Sequence, residues 1–194
     1  MDFIIATNNK DKVKEIKTIL AGHNVMSQSE AGIHVVAEEN GTTFAENALI
    51  KARSIKKLAD CAIIADDSGI MVDALGGAPG IYSARYAGEG CTPADCNAKL
   101  LRELEGVPYE QRTARYVCCM ALILPDGSEH TFEGTCEGYI IDEERGTNGF
   151  GYDPMFYVPS IDMTFGQADS RVKHKMSHRY FALKKLSDFV EKLS

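Results

Sequence analysis

The chain has 194 residues, 44% of them hydrophobic and 25% charged, enough for a sizeable core and ordinary for one globular domain, with room for two lobes. Its formal net charge of −7 argues against a general affinity for nucleic-acid backbones, which takes a basic surface, and no stretch approaches the roughly 18 uncharged apolar residues of a membrane span. The six cysteines form no C-x-x-C pair and the five histidines no H-E-x-x-H, so zinc and thioredoxin-like chemistry find no support, and the cysteines read as reduced thiols filling core space.

In chain order, Asp2 to Ala6 is a short apolar run with an acid near its start and no basic flank, and it reads as a first strand rather than a signal peptide. Thr7-Asn8-Asn9-Lys10-Asp11-Lys12 follows, then a helical pattern with Val13, Ile16, Ile19 and Leu20 on one face, closed by Gly22. Strand, polar turn and helix is a phosphate-binding layout, because a helix start presents free N–H groups and positive potential. The same residues also fit a plain capped helix with solvated lysines.

A short strand near Asn24 to Met26 leads to an acidic loop, Val35 to Gly41, that carries Glu38 and Glu39. Thr43-Phe44-Ala45-Glu46 has the form of a capping box, and the helix it opens runs to about Ala59 with Phe44, Ala48, Ala52 and Ile55 at helical spacing. Asn47 and Lys51 are four apart and share a face. Cys61 to Ala65 is a continuous apolar run, the mark of a central strand covered on both sides. Asp66-Asp67-Ser68-Gly69 comes next and, taken alone, reads as a turn. Two adjacent carboxylates at the end of a buried strand need a cation or a proton to relieve them, and Mg²⁺, held by one or two carboxylates and substrate phosphates, is the natural relief.

Gly76-Gly77-Ala78-Pro79-Gly80 has neither the Walker nor the G-x-G-x-x-G pattern. Thr92-Pro93-Ala94-Asp95 caps a helix that reaches about Leu104. Thr113 to Leu124 and Glu129 to Ile141 read as a long hairpin about Pro125-Asp126-Gly127, which implies a mixed sheet rather than a pure Rossmann fold. Asn148 to Pro154 is a second concentrated loop, with glycines that let backbone approach a ligand and aromatics that stack on a base. The last segment holds Lys173, Lys175 and Ser177-His178-Arg179, with Ser177 as N-cap of a helix burying Ala182, Leu186, Phe189, Val190 and Leu193.

Together these features supply basic groups near two helix starts, acids for a metal and an aromatic loop for a planar group, a combination suited to a nucleotide polyphosphate with Mg²⁺. The chain resembles the inosine triphosphate pyrophosphatase family, the dITP/XTP diphosphatases, over nearly its whole length. The resemblance rests on Ala6-Thr7-Asn8-Asn9 with Lys12, on Thr43-Phe44, Glu46-Asn47 and Lys51-Ala52, on Ala65 to Gly69, on Gly76 to Tyr86, on Gly149 to Pro154, and on Ser177-His178-Arg179.

It implies one α/β catalytic domain over residues 1–194, two-lobed, with a long mixed β-sheet flanked by helices and a central substrate cleft. It implies a homodimer in the cytoplasm that binds neither nucleic acid nor membrane. The implied reaction cleaves ITP, dITP and XTP between the α- and β-phosphates, giving the monophosphate and pyrophosphate. Residue by residue, Thr7, Asn8, Asn9, Lys10, Asp11, Lys12 and Lys51 hold phosphates, and Ser68 contacts substrate. Glu38 and Asp67 bind Mg²⁺, and Asp67 is also the general base. Phe150, Gly151, Tyr152, Asp153, Lys173, His178 and Arg179 serve the base and sugar. Asp66 and Glu39 stand beside the nominated acids and Lys175 beside Lys173, so each of these choices is open. Some relatives in the resemblance have glycine where Asn8 stands, which Asn can imitate if its φ is positive. The rival readings are a Maf-like pyrimidine or modified-nucleotide pyrophosphatase and a non-catalytic nucleotide-binding regulator.

Overall fold

The first apolar run forms β1 (Asp2–Ile5) in the computed structural model, which describes residues 1–193 without the side chain of Asp11. The expected contact of Asp11 with substrate therefore lies outside the described side chains. The elements that follow are α1 (Lys10–Ile19), β2 (Asn24–Ser27), α2 (Phe44–Lys56), β3 (Ala62–Val72), α3 (Pro93–Glu103), β4 (Thr113–Ile123) and β5 (Glu129–Ile140). The short strands β6 (Phe156–Val158) and β7 (Met163–Thr164) and the helices α4 (Ser170–Met176) and α5 (His178–Glu191) complete the chain.

Seven strands make one sheet in the order β2-β1-β3-β4-β5-β6-β7. β1 runs parallel to β2 and to β3, with Phe3 opposite Ala62 and Ile5 opposite Ile64. β5 is antiparallel to β6, and β6 to β7, so the sheet is mixed. The expected long hairpin is β4 and β5, closed where Leu124 N–H donates to the Ser128 carbonyl at 2.9 Å. This is an α/β fold with a seven-stranded mixed sheet flanked by helices.

The helix starts follow their capping residues. Thr43 accepts the Glu46 N–H at 3.1 Å, and the Glu46 carboxylate takes the N–H and hydroxyl of Thr42 at 2.6 and 2.8 Å. At α3 the box is complete: Thr92 Oγ1 accepts from Asp95 N–H, and the Asp95 carboxylate accepts from Thr92 N–H. Ser177 accepts the Tyr180 N–H at 3.1 Å and so caps α5 as expected. α2 ends at Lys56, short of Ala59, and Leu193 lies beyond α5 and is exposed rather than buried.

The chain divides into two compact units. Unit 1 comprises Met1–Asp67, Cys118–Gly134 and the part of the chain from Phe181, and unit 2 comprises Ser68–Val117 and Thr135–Tyr180. In unit 1 the strand alternation sorts side chains into two layers. Phe3, Ile5, Ala62 and Ile64 pack with Ile16 and Leu20 of α1 and with Ala182, Leu186 and Val190 of α5. Ile4, Ile63 and Ala65 pack with Ala48, Ala52 and Ile55 of α2. Unit 2 has one apolar cluster, in which Ile70 and Val72 join Leu100 and Leu104 of α3, Tyr116 of β4, Ile140 of β5, and Phe156 and Phe165.

One expectation is overturned here, with consequences for the site. Asp66-Asp67-Ser68-Gly69 is not a turn after the buried run; it lies inside β3, whose eleven residues continue to Val72. Side chains alternate along a strand, so adjacent aspartates point to opposite faces of the sheet. Asp66 follows the parity of Ala62 and Ile64, on the α1 side, and Asp67 that of Ile63 and Ala65, on the α2 side. The crowding expected of neighbouring carboxylates is thus relieved by the pleat itself.

Candidate active site

Each aspartate of β3 meets a lysine of the helix on its own face. Asp66, with its side chain 2% exposed, accepts from Lys12 Nζ of α1 at 2.8 Å. Asp67 Oδ1 lies 3.3 Å from Lys51 Nζ of α2, and Asp67 Oδ2 accepts from Asn47 Nδ2 at 3.3 Å. Lys51 also donates to Glu39 Oε2 at 3.2 Å. The four-residue spacing of Asn47 and Lys51 brings both to Asp67, and Asn47 Oδ1 holds the acidic loop by accepting the Gly41 N–H at 2.9 Å.

Two carboxylates on one ammonium leave this cluster with a net negative charge. Burial pushes the Asp67 carboxyl up, Lys51 pulls it back and Glu39 pushes it up again, and the balance lies above the ordinary aspartate value. For Lys51, burial lowers the pKa, but Asp67, Asp66 and Glu39 outweigh it and hold the ammonium above its ordinary value. The cluster therefore binds protons more readily than its parts in water.

Thr7, Gln28, Glu39, Lys51 and Ser54 line a pocket of about 180 Å³ in unit 1. That volume is smaller than the roughly 300 Å³ or more of pockets that bury a small-molecule ligand. Among the described residues no three acid, histidine or cysteine side chains form a ready-made metal cage. A pair of hard carboxylate oxygens fits Mg²⁺, which keeps waters and substrate phosphates for its other positions.

The turn after β1 spends its side chains on itself. Thr7 Oγ1 accepts the Asn9 N–H at 3.2 Å, and Asn9 Oδ1 accepts the Lys12 N–H at 3.2 Å, capping α1. Asn8 hydrogen-bonds Ser29, and its φ is not positive, so it does not imitate a glycine. Asn8 and Lys10 line a separate depression of about 620 Å³ with Lys14 and Lys17, away from the Glu39–Asp67 pair. The larger volume there does not make it the reaction site, because among the described residues lining it Glu30 is the one acid and is paired with Lys17.

In unit 2 the organising residue is Asp153, 1% exposed. Its Oδ1 accepts from Tyr116 OH at 3.0 Å, its Oδ2 accepts the Phe150 N–H at 2.8 Å, and Lys173 pairs with the same oxygen. Lys173 Nζ sits 4.8 Å from the Phe150 ring centroid and 5.3 Å from that of Phe165. His178, buried at the start of α5, stacks on Tyr116 at 4.9 Å and 12°. Burial, then the Asp153 charge, holds the Tyr116 phenol protonated. Phe150 itself is 66% exposed, an aromatic face free to meet a planar ligand. Arg179 is buried beside His178 in sequence.

Gly149 makes this arrangement possible. Its φ is +74°, and a Cβ there would stand 2.0 Å from Asp153 Oδ2. Gly149→Ala is expected to cost at least about 2 kcal/mol, read as a lower urea midpoint. An unchanged midpoint would mean that the loop is not fixed by Asp153.

Sequence reasoning nominated most of these residues but not all of their partners. Lys173 is the lysine that reaches Asp153, and Lys175 is exposed. Glu38 is exposed, whereas its neighbour Glu39 meets Lys51. Ser68 lies half-buried in β3. Asn47, Tyr116 and Phe165 were not nominated. Asn47 alone carried a local signal, a polar residue four before Lys51 on one helix face; Tyr116 reads as a residue of an apolar strand until the fold brings Asp153 to it, and Phe165, just past β7, meets Lys173. Asn97 was missed too: its Nδ2 donates to the Gly151 carbonyl at 3.2 Å and to Glu144 at 2.8 Å.

A dITP/XTP pyrophosphatase of Desulforamulus reducens is 49% identical over 195 residues, covering 100% of this chain and 97% of that protein. One from Bacillus subtilis is 50% identical over 190 residues, covering 97% and 96%. The Staphylococcus aureus Ham1 protein superposes with a TM-score of 0.94 at 41% identity over 100% of both chains, and a HAM1 protein from Coxiella burnetii with 0.92 at 38% over 99% of both. The Ham1 family pattern matches residues 3–189, and the chain belongs to the Ham1 family.

Proposed function

We propose that this protein hydrolyses ITP, dITP and XTP to the monophosphate and pyrophosphate, and so clears deaminated purines from the nucleotide pool. Relatives of about half identity over nearly the full length are named dITP/XTP pyrophosphatases. The observation that carries the reading to the residues is the Lys51 ammonium held between Glu39 and Asp67 beside Thr7 in a pocket sized for phosphates.

In this reading residues 1–194 act as one catalytic domain. Asp67 and Glu39 would hold Mg²⁺, Glu39 taking the place expected of Glu38. Bound there, the metal would neutralise the polyphosphate and lower the pKa of an attacking water. Lys51 offsets part of the charge of the two acids, and with Lys12 and Thr7 it would meet the phosphates. Asp67, with its raised pKa, accepts the proton of the water. Phe150 stacks on the base, and Lys173, His178 and Arg179 present donors to its 6-keto oxygen. Adenine offers an amino donor at that position, so donors would face a donor, and each unpaired buried group costs roughly 1–3 kcal/mol. The family resemblance also supports a homodimer in the cytoplasm. No helix among the described residues is long and apolar enough to cross a membrane.

Hydrolysis of ITP with Mg²⁺ in ¹⁸O-labelled water tests the reaction. Label in IMP, with pyrophosphate as the other product, is expected; label in orthophosphate beside IDP would make the protein a γ-phosphatase. A preference for dTTP or UTP in the same assay would refute the purine assignment. The metal assignment has its own test. Glu39→Gln is expected to raise the Mg²⁺ concentration for half-maximal rate by about 10- to 100-fold, with Glu38→Gln close to wild type. The reverse pattern would move the ligand to Glu38.

A further inference from the structure

Two of the six cysteines stand apart from the rest. Thr92 is the N-cap of α3, so Cys91 and Cys96 occupy the positions just before the cap and four into the helix. Those are the two positions whose side chains pack together as a staple at a helix start. Here the staple is made of thiols, with the sulfurs 3.3 Å apart. Cys91 is partly exposed and Cys96 is 3% exposed.

We propose that Cys91 and Cys96 form a redox-active dithiol, which hydrogen peroxide converts to an intramolecular disulfide and a thiol reductant restores. Cys91 reaches the oxidant from solvent. Its sulfur attacks one peroxide oxygen, the O–O bond breaks, and Cys91 becomes a sulfenic acid with release of one water. The Cys96 thiolate then attacks the Cys91 sulfur, the S–S bond forms, and hydroxide leaves and is protonated to a second water. The two sulfurs lose two electrons and the peroxide gains them.

The surroundings ease the loss of one proton from the pair. Burial opposes ionisation of Cys96, but hydrogen bonds to the Ala87 backbone, Cys91 and Tyr152 outweigh it and hold the thiol below its ordinary value. The hydrogen bond to Cys96, then burial, raises Cys91, so the pair gives up one proton readily and the second reluctantly. The other thiols lack these features: burial pushes Cys119 to about 11 and Cys136 to about 12 and raises Cys61, and Cys118 is fully buried.

The pair also bears on the loop of Phe150 and Asp153. The Cys96 thiol hydrogen-bonds the Tyr152 side chain, whose hydroxyl donates to the Ser83 carbonyl at 2.7 Å. The next residue, Asn97, holds Gly151. Oxidation ties the Cys96 sulfur to Cys91 and weakens it as a hydrogen-bond acceptor for Tyr152, so it loosens Tyr152. This consequence rests on the base-side role proposed for the loop; the sulfur chemistry does not.

The experiment treats the reduced, native protein with hydrogen peroxide, alkylates free thiols and maps peptides. Cys91 and Cys96 fall in one tryptic peptide, Tyr86 to Lys99, with no other cysteine. That peptide is expected to lose two hydrogens and resist alkylation, dithiothreitol should reverse both changes, and Cys96→Ser should instead leave Cys91 to oxidise to the sulfinic acid. Recovery of the peptide with both thiols alkylated, or with Cys91 sulfinic in the unmutated protein, would overturn the dithiol. In parallel, the KM for ITP is expected to rise severalfold on oxidation, to recover on reduction, and to stay constant in Cys91→Ser. A disulfide that forms with no change in KM would overturn the link to the loop and leave the sulfur chemistry standing.

Discussion

Asp67→Asn is expected to lower kcat/KM for ITP by about a thousandfold while raising, not lowering, the melting temperature of the free protein. The loss follows from removing a base and a metal ligand in one step. The gain in stability follows from the direction of the Asp67 pKa, which burial and the nearby Glu39 hold above the ordinary 3.8. A carboxyl whose folded pKa is raised binds its proton more tightly in the native state. Its ionised form therefore costs stability, and the cost is fully present above the folded pKa and absent below the unfolded one. Asparagine removes that cost and keeps an oxygen in place. The stability difference between variant and wild type should then be present at pH 7 and close as the pH falls below about 4. In wild type the acidic limb of kcat/KM should lie above the ordinary aspartate range. A variant that melts lower than wild type at pH 7, or that retains hydrolysis, would remove Asp67 from this role.

Asp153→Ala is expected to have the largest effect on folding, a loss of about 3–5 kcal/mol, or roughly 10 °C in melting temperature for a chain of this size. The carboxylate is buried with two hydrogen-bond donors and one ammonium around it: Tyr116 OH, the Phe150 N–H and Lys173. Truncation leaves a phenol and a charged lysine unpartnered in the interior, which is worse than having neither. For that reason Lys173→Met on the Asp153→Ala background should recover part of the loss, and the recovery measures the coupling of the pair. Equal melting of the single and double variants would show that Lys173 finds another partner at no cost. Activity should fall with Asp153→Ala even below its melting temperature, because Phe150 loses the N–H bond that fixes its loop.

The sequence was most informative where physics is local. Capping residues located the starts of α2, α3 and α5 because a helix N-terminus must satisfy its own N–H groups within a turn. The long strands β4 and β5 and the buried run of β3 were visible from β-branched and apolar composition. Asn47 and Lys51 were placed on one face by spacing alone. The turn predicted at Asp66 to Gly69 failed because Asp, Ser and Gly favour turns only when nothing longer-range competes, and here the chain continues as an eleven-residue strand. β6, β7 and α4 went unread, being two to seven residues long and too short for a periodic pattern.

By itself, then, the sequence determined an α/β chain, its main helices and strands, and the acids, lysines and aromatic loop from which a nucleotide site could be assembled. Only the tertiary structure decided how they pair: Asp66 with Lys12, Asp67 with Lys51 and Asn47, Glu39 rather than Glu38 at Lys51, and Lys173 rather than Lys175 at Asp153. Spacing along a chain fixes which face a side chain occupies, because the period of a strand or helix is set by the backbone. What stands opposite that face depends on which helix packs there, and that is settled by contacts between residues far apart in sequence.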